Sequence, residues 1–177
     1  MFRREITAEA VMENLGTVLA FVEDCLEELG APPRAQVQIT MAVDELFTNI
    51  ASYAYPGRTG TATVRVEADE PPSAVALTFL DGGIPYDPLS HADPDVTLSA
   101  EERPIGGLGI YMVKKTMDEV AYAYRDGKNV LTIRKYLGGT KTAPGSPRGR
   151  RCCHWQGVCS WAALPPRICP LPRMIYL

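Results

Sequence analysis

The chain has 177 residues, 46% hydrophobic and 22% charged, which is enough to bury the core of one domain. No apolar run is long enough to span a bilayer, and "MFRREITAEA" has basic residues with no apolar stretch behind them, which speaks against a secretory signal and for the cytoplasm. The net charge of −3 hides an imbalance: residues 1–137 hold all 21 acids and 12 of the 18 Lys and Arg, a net of −9, whereas residues 138–177 hold six basic residues and no acid. An acidic body argues against nucleic acid as partner. It also has a single cysteine, Cys25, against four in the tail (Cys152, Cys153, Cys159, Cys169), as expected of a reduced intracellular domain.

In chain order, "REIT" reads as a short strand, with Thr7 as cap of a helix over about 8–29. Val11, Leu15, Val18, Leu19, Val22 and Leu26 give that helix its apolar spacing. Gly30 and Pro32–Pro33 end it and start a second helix over about 33–55, with Val43, Leu46, Phe47 and Ile50 as its apolar stripe. "YPGRTG" breaks the chain before strands over 62–68 and 74–80. The second of these is nearly all apolar and therefore central. Residues 81–107 carry Gly, Pro and Asp throughout and show no period; so long a loop in a compact domain is functional or disordered. A helix over about 107–117 follows, then strands "EVAYAYR" and "NVLTIRKYL" joined at Asp126–Gly127, a dipeptide suited to a tight hairpin. This order predicts an α+β fold, a two-layer sandwich whose sheet is mixed, mostly antiparallel, and covered by helices on one face. Residues 138–177, rich in Pro and Cys and without period, read as an appended disordered tail, so that the folded domain is 1–137.

Three stretches carry chemistry. On the second helix Glu45 and Asn49 stand one turn apart, off the apolar stripe, where one group of atoms can meet both. A carboxylate beside an amide oxygen suits a hard cation such as Mg²⁺, or the carboxylate can polarise an attacking hydroxyl; a solvated polar face has the same pattern. In "TFLDGGIPYDP", Asp81 ends an apolar strand and two glycines follow at once. Such a carboxylate can accept a hydrogen bond from the exocyclic amine of adenine while the glycines admit a flat base, although a plain Asp-Gly turn reads alike. In "IGGLGIYMVKK" glycines open a helix, as where backbone N–H groups hold phosphate. There is no Gly-x₄-Gly-Lys-Ser/Thr loop, and "CCHWQGVC" lacks the ligand spacing of a zinc site.

Glu-x₃-Asn on a helix, Asp-x-Gly after a strand, a long loop, then Gly-x-Gly opening a helix: this order resembles the GHKL superfamily of Bergerat-fold ATPases. The strings "DGGIPYDPL", "RPIGGLGIYMVKKTMDEVAY" and "NVLTIRK" are most similar to its anti-sigma factor branch, serine/threonine kinases with a histidine-kinase-like ATPase domain. The resemblance covers about residues 5–137. It implies that Asn49 binds Mg²⁺ with the triphosphate and that Glu45 is general base on the attacking hydroxyl. Asp81 would read the adenine amine with Gly83 beneath the base, residues 84–106 would be the ATP lid, and Gly107, Leu108 and Gly109 would hold phosphates. Arg103, late in the lid, would be a phosphate or partner contact. The implied partners are a STAS-domain antagonist, which is phosphorylated, and a sigma factor; a homodimer is also known in the family. ATP-dependent capture of a partner without phosphoryl transfer, or simple ATP hydrolysis, would use the same site. Many members carry a threonine just inside the last strand, joined to the adenine network; here the residues are Asn129 and Val130, with Thr132 further on, and the contact has no assignment from sequence. A sensor histidine kinase is excluded, because the two histidines, His91 and His154, lie in the lid and the tail.

Overall fold

The computed structural model describes residues 1–90 and 108–138, all within one unit, Met1–Thr142. Its sheet is built from β1 (Phe2–Glu9), β2 (Thr61–Ala68), β3 (Ala74–Asp81), β4 (Glu119–Arg125) and β5 (Lys128–Tyr136). The spatial order is β1-β2-β3-β5-β4. The expectation was a mixed, mostly antiparallel sheet; all four pairings are antiparallel. The β3 strand is central, as its apolar run predicted, with Val75, Leu77 and Phe79 facing the core.

Strand pairing also explains where the helix boundaries moved. The first strand runs to Glu9, because all its residues find partners on β2, from Phe2 opposite Ala68 to Glu9 opposite Thr61. Thr7 therefore caps no helix: its hydroxyl bonds that of Thr63 at 2.8 Å across the sheet. A turn of 3₁₀ helix, Met12–Asn14, leads into α1 (Leu15–Glu28) instead. The exposed rows opposite the helices pair Arg65 with Glu5 at 2.9 Å and bring Arg3 within 3.8 Å of Glu67. Such solvated pairs add little stability but favour this register over a slipped one.

The helices lie on the other face. Val18, Val22 and Leu26 of α1 and Ile39, Val43, Leu46 and Phe47 of α2 (Pro33–Asn49) pack with Val64, Val66, Leu77, Phe79 and Ile133 of the sheet into one core. Gly30 ends α1 at a φ of 62°, with its N–H on Glu27 and that of Ala31 on Leu26, both at 2.9 Å, a left-handed closure that glycine adopts without strain. The second helix stops as an α-helix at Asn49 rather than near residue 55; Ile50–Ala54 form a wider π turn. A π turn of five residues is too short to leave a period of its own in the sequence, yet such turns concentrate at functional sites. The last helix, α3 (Leu108–Thr116), buries Val113. Its final turn is fixed by Lys135, whose ammonium donates to the Thr116 carbonyl at 2.7 Å and pairs with the buried Asp118 carboxylate at 3.5 Å. The β4–β5 hairpin turns on Asp126 and Gly127 alone, at φ of 53° and 73°, as the dipeptide predicted.

Candidate active site

Asp81 is the last residue of β3 and only 6% exposed. Its Oδ1 accepts the N–H of Gly83 at 2.8 Å and the side-chain amide of Asn129 at 2.9 Å. Among the described residues, no hydrogen bond reaches Oδ2, so one carboxylate oxygen is held by the protein and the other can receive a donor. Asn129 stands opposite Asp81 in the β3–β5 register and is equally buried. The sequence left this position without assignment. No sequence signal pairs residues so far apart; only strand register does.

Gly83 has a steric reason. A Cβ there would lie 2.5 Å from the Ala54 carbonyl oxygen and 2.7 Å from Asp81 Oδ1, far inside van der Waals contact. Ile84 N–H then donates to that same Ala54 oxygen at 2.9 Å. The π turn thus brings the end of α2 directly onto the Asp-Gly-Gly loop. Tyr55, the next residue, takes the Gly82 N–H on its phenol oxygen at 2.8 Å and donates to the Thr61 carbonyl at 2.6 Å. Burial pushes its phenol above the ordinary range. Arg58 donates to the Gly82 carbonyl at 3.1 Å and stacks 5.0 Å over the Tyr55 ring. Gly82 is therefore gripped at both ends of its residue, while a Cβ on it would meet nothing nearer than Tyr55 Oη at 3.9 Å. A cavity of about 270 Å³ behind this loop is lined by Arg58, Thr63 and Lys128 among others, on the outer side of the sheet.

The second cluster sits on the helices. Glu45 and Asn49 do meet one turn apart, and Asn49 Nδ2 donates to Glu45 Oε1 at 2.7 Å. The amide nitrogen is thereby committed to the carboxylate, and Asn49 Oδ1 is the atom left to act as a hard oxygen ligand. Gly109, in the first turn of α3, lies under the same carboxylate: a Cβ would come within 1.9 Å of Glu45 Cδ. The glycine opening this helix makes room for Glu45. Leu108 begins α3 and is largely exposed, and the N–H groups of this first turn have no partners within the helix. Gly107, Arg103 and most of the expected lid lie outside the described residues. Among the described residues no group of three or more His, Cys, Asp and Glu side chains converges as a metal cage.

Six of the expected residues thus fall in two clusters: Glu45, Asn49 and Gly109 with Leu108 beside them, and Asp81 with Gly83, the π turn after Asn49 leading along the chain from the first to the second. Tyr55, Arg58 and Asn129 are the additions. No described helix is long and apolar enough to cross a membrane.

Known proteins resemble this chain in sequence and in fold. The serine/threonine-protein kinase BtrW of Bordetella bronchiseptica is 31% identical over 101 residues, covering 56% of this chain and 70% of that protein. The serine-protein kinase RsbW of Bacillus cereus is 29% identical over 130 residues, covering 71% and 73% respectively. Among solved structures, the RsbU and RsbW domains of Rv1364c from Mycobacterium tuberculosis share the fold at a TM-score of 0.55 and 19% identity, over 77% of this chain. This chain spans about one third of that longer one, 33%. Residues 8–135 match the histidine kinase-like ATPase domain, and the chain, with its helix-borne Glu45–Asn49 pair and its strand-end Asp81, belongs to that family.

Proposed function

We propose that the chain is an ATP-dependent serine/threonine protein kinase of the anti-sigma type, working in the cytoplasm on a STAS-domain antagonist. The observation that carries this reading is the Glu45 carboxylate, half-buried, bonded by Asn49 and resting over Gly109 at the head of α3. Adenine would lie against the Asp81–Gly83 loop with its 6-amine on Asp81 Oδ2, and the phosphates would reach the N–H groups of Leu108 and Gly109, continued by Gly107 and Arg103. The residues present fit Mg²⁺ bound chiefly through phosphate and water, with Asn49 Oδ1 as its protein ligand, since the side chains here offer one hard oxygen rather than a cage. The ion would supply neutralisation of phosphate charge.

A serine hydroxyl of the partner attacks the γ-phosphorus; Glu45 takes its proton, the bond from γ-phosphorus to the bridging oxygen breaks, and ADP carries away that electron pair. Asn49, by donating to Oε1, orients Glu45 for this task. A partner that touches the lid would distinguish ATP from ADP, which gives a basis for switching between the antagonist and a sigma factor.

Incubation with γ-labelled ATP and a STAS-domain antagonist tests the reading. Label is expected on a serine or threonine of the antagonist, and Glu45→Gln should cut its rate of appearance by about 10²–10⁴-fold while ATP binding survives. Nucleotide-dependent capture with no transfer by the wild type would instead make this a binding module, and release of phosphate without a protein substrate would make it a simple ATPase.

A further inference from the structure

Asn129 makes four hydrogen bonds, which use all the capacity of its side-chain amide. Nδ2 donates to Asp81 Oδ1 at 2.9 Å and to the Ile84 carbonyl at 3.0 Å. Oδ1 accepts the Tyr122 phenol at 2.7 Å and the Tyr86 N–H at 3.2 Å. One buried side chain therefore joins the strand-end carboxylate, the first residues after the Asp-Gly-Gly loop, and β4. With both its N–H groups spent on protein acceptors, it has none for a nucleotide.

We propose that Asn129 is a positioning residue that sets adenine specificity by orienting Asp81, and that it fastens the root of the lid to the same carboxylate. This rests on the reading of Asp81 as the acceptor of the adenine amine. The physical argument is one of choice between two oxygens. A carboxylate at a strand end can turn about its side-chain torsions; Asn129 and Gly83 N–H both bond Oδ1, so the group is pinned by that oxygen, and no hydrogen bond from the described residues claims Oδ2. A buried network in which every member is satisfied holds one arrangement against its alternatives. A hydroxyl at this position would have a single donor and could not reach Asp81 and Ile84 together. The asparagine adds the two contacts to residues 84 and 86, so a base that pulls on Asp81 also loads the segment where the lid begins.

The test compares binding of ATP with purine riboside triphosphate, which lacks only the 6-amine. Wild type is expected to prefer ATP by about tenfold to a hundredfold, the range of a hydrogen bond to a charged group. Asn129→Ala should shrink that preference to about threefold or less, and Asp81→Ala should remove it, with the double variant no worse than Asp81→Ala alone. In the same variant the Tyr86 amide should exchange with deuterium faster. An Asn129→Ala protein that binds both nucleotides more weakly but keeps the full preference has lost structure only, and the proposal falls. A wild type that binds neither nucleotide overturns the ATP-site reading and this proposal with it.

If Asn129→Ala does not fold, Asn129→Asp carries the test. Its carboxylate keeps the shape and accepts from Tyr86 and Tyr122, but cannot donate to Asp81 unless protonated. Two adjoining carboxylates raise the pKa of one of them, so the preference for ATP should be lost at pH 8 and regained toward pH 5, with wild type flat across this window. No recovery at low pH overturns the proposal.

Discussion

The two ends of this site are held in different ways. At the sheet end, Asp81, Gly83 and Asn129 are fixed by strand register and by five hydrogen bonds, three of which involve backbone. At the helix end, Glu45 has one described side-chain bond, to Asn49, and rests on a missing Cβ. The sheet end is thus tied to the backbone, whereas the helix end is a pair of side-chain tips bonded to each other over a glycine. The contrast suits the proposed roles: recognition of an unchanging base would benefit from preorganisation, while a proton acceptor would have to meet a substrate brought by another protein.

Substitutions that break one end and spare the other make this contrast measurable. Glu45→Gln should lower phosphoryl transfer by about 10²–10⁴-fold with little change in ATP affinity, read by single-turnover transfer beside a binding titration. Gly109→Ala should come next. Its Cβ pushes the carboxylate aside, and displacing a reacting group by about an ångström costs about 10²-fold in rate; because that carboxylate is the mobile tip of a side chain, the urea midpoint should hardly move. Gly83→Ala should do the reverse. Its Cβ meets the Ala54 backbone oxygen, which cannot swing away, so a stability loss of about 1–3 kcal/mol is expected, while Gly82→Ala beside it stays within about 0.5 kcal/mol. Comparing the two urea curves checks this.

The smallest effect concerns pH. Tyr55 has a folded pKa above its ordinary value, chiefly through burial. Above the ordinary phenol range the unfolded chain releases this proton first, so the Tyr55 contribution to stability is present below that range and is lost as pH rises through the folded value. Tyr55→Phe should lose about 1 kcal/mol at neutral pH through the two missing hydrogen bonds, with a shallower alkaline decline than wild type in paired urea titrations. Tyr122 and Cys25, also raised by burial, keep some decline in both proteins.

Sequence carried the helix end better than the sheet end. Glu45 and Asn49 are legible because i, i+4 on a helix is a local relation, and Gly109 because glycine is costly at a helix start unless something needs the space. Asp81 and Gly83 are legible as a strand end and a sharp turn. Asn129 was not, since its role depends on the β3–β5 register and its residue type departs from the family's threonine. Tyr55 was not legible either, because nothing local shows that its phenol will reach Gly82. The early end of α2 was hidden because the π turn that follows it, Ile50–Ala54, is too short to show a period of its own. The late start of α1 was hidden because the pairing that extends β1 to Glu9 is with a strand far along the chain.

The Asp126–Gly127 turn looks like the natural place to splice in a tag or a reporter, being exposed. Its length nevertheless carries information. Asn129 is only two residues beyond Gly127, and alternate residues of a strand face opposite sides. Sliding β5 by one residue would present Lys128 or Val130 to Asp81 and turn the amide away, changing the site without altering any residue in it. An engineer working at this tip should count residues as carefully as an active-site chemist chooses side chains.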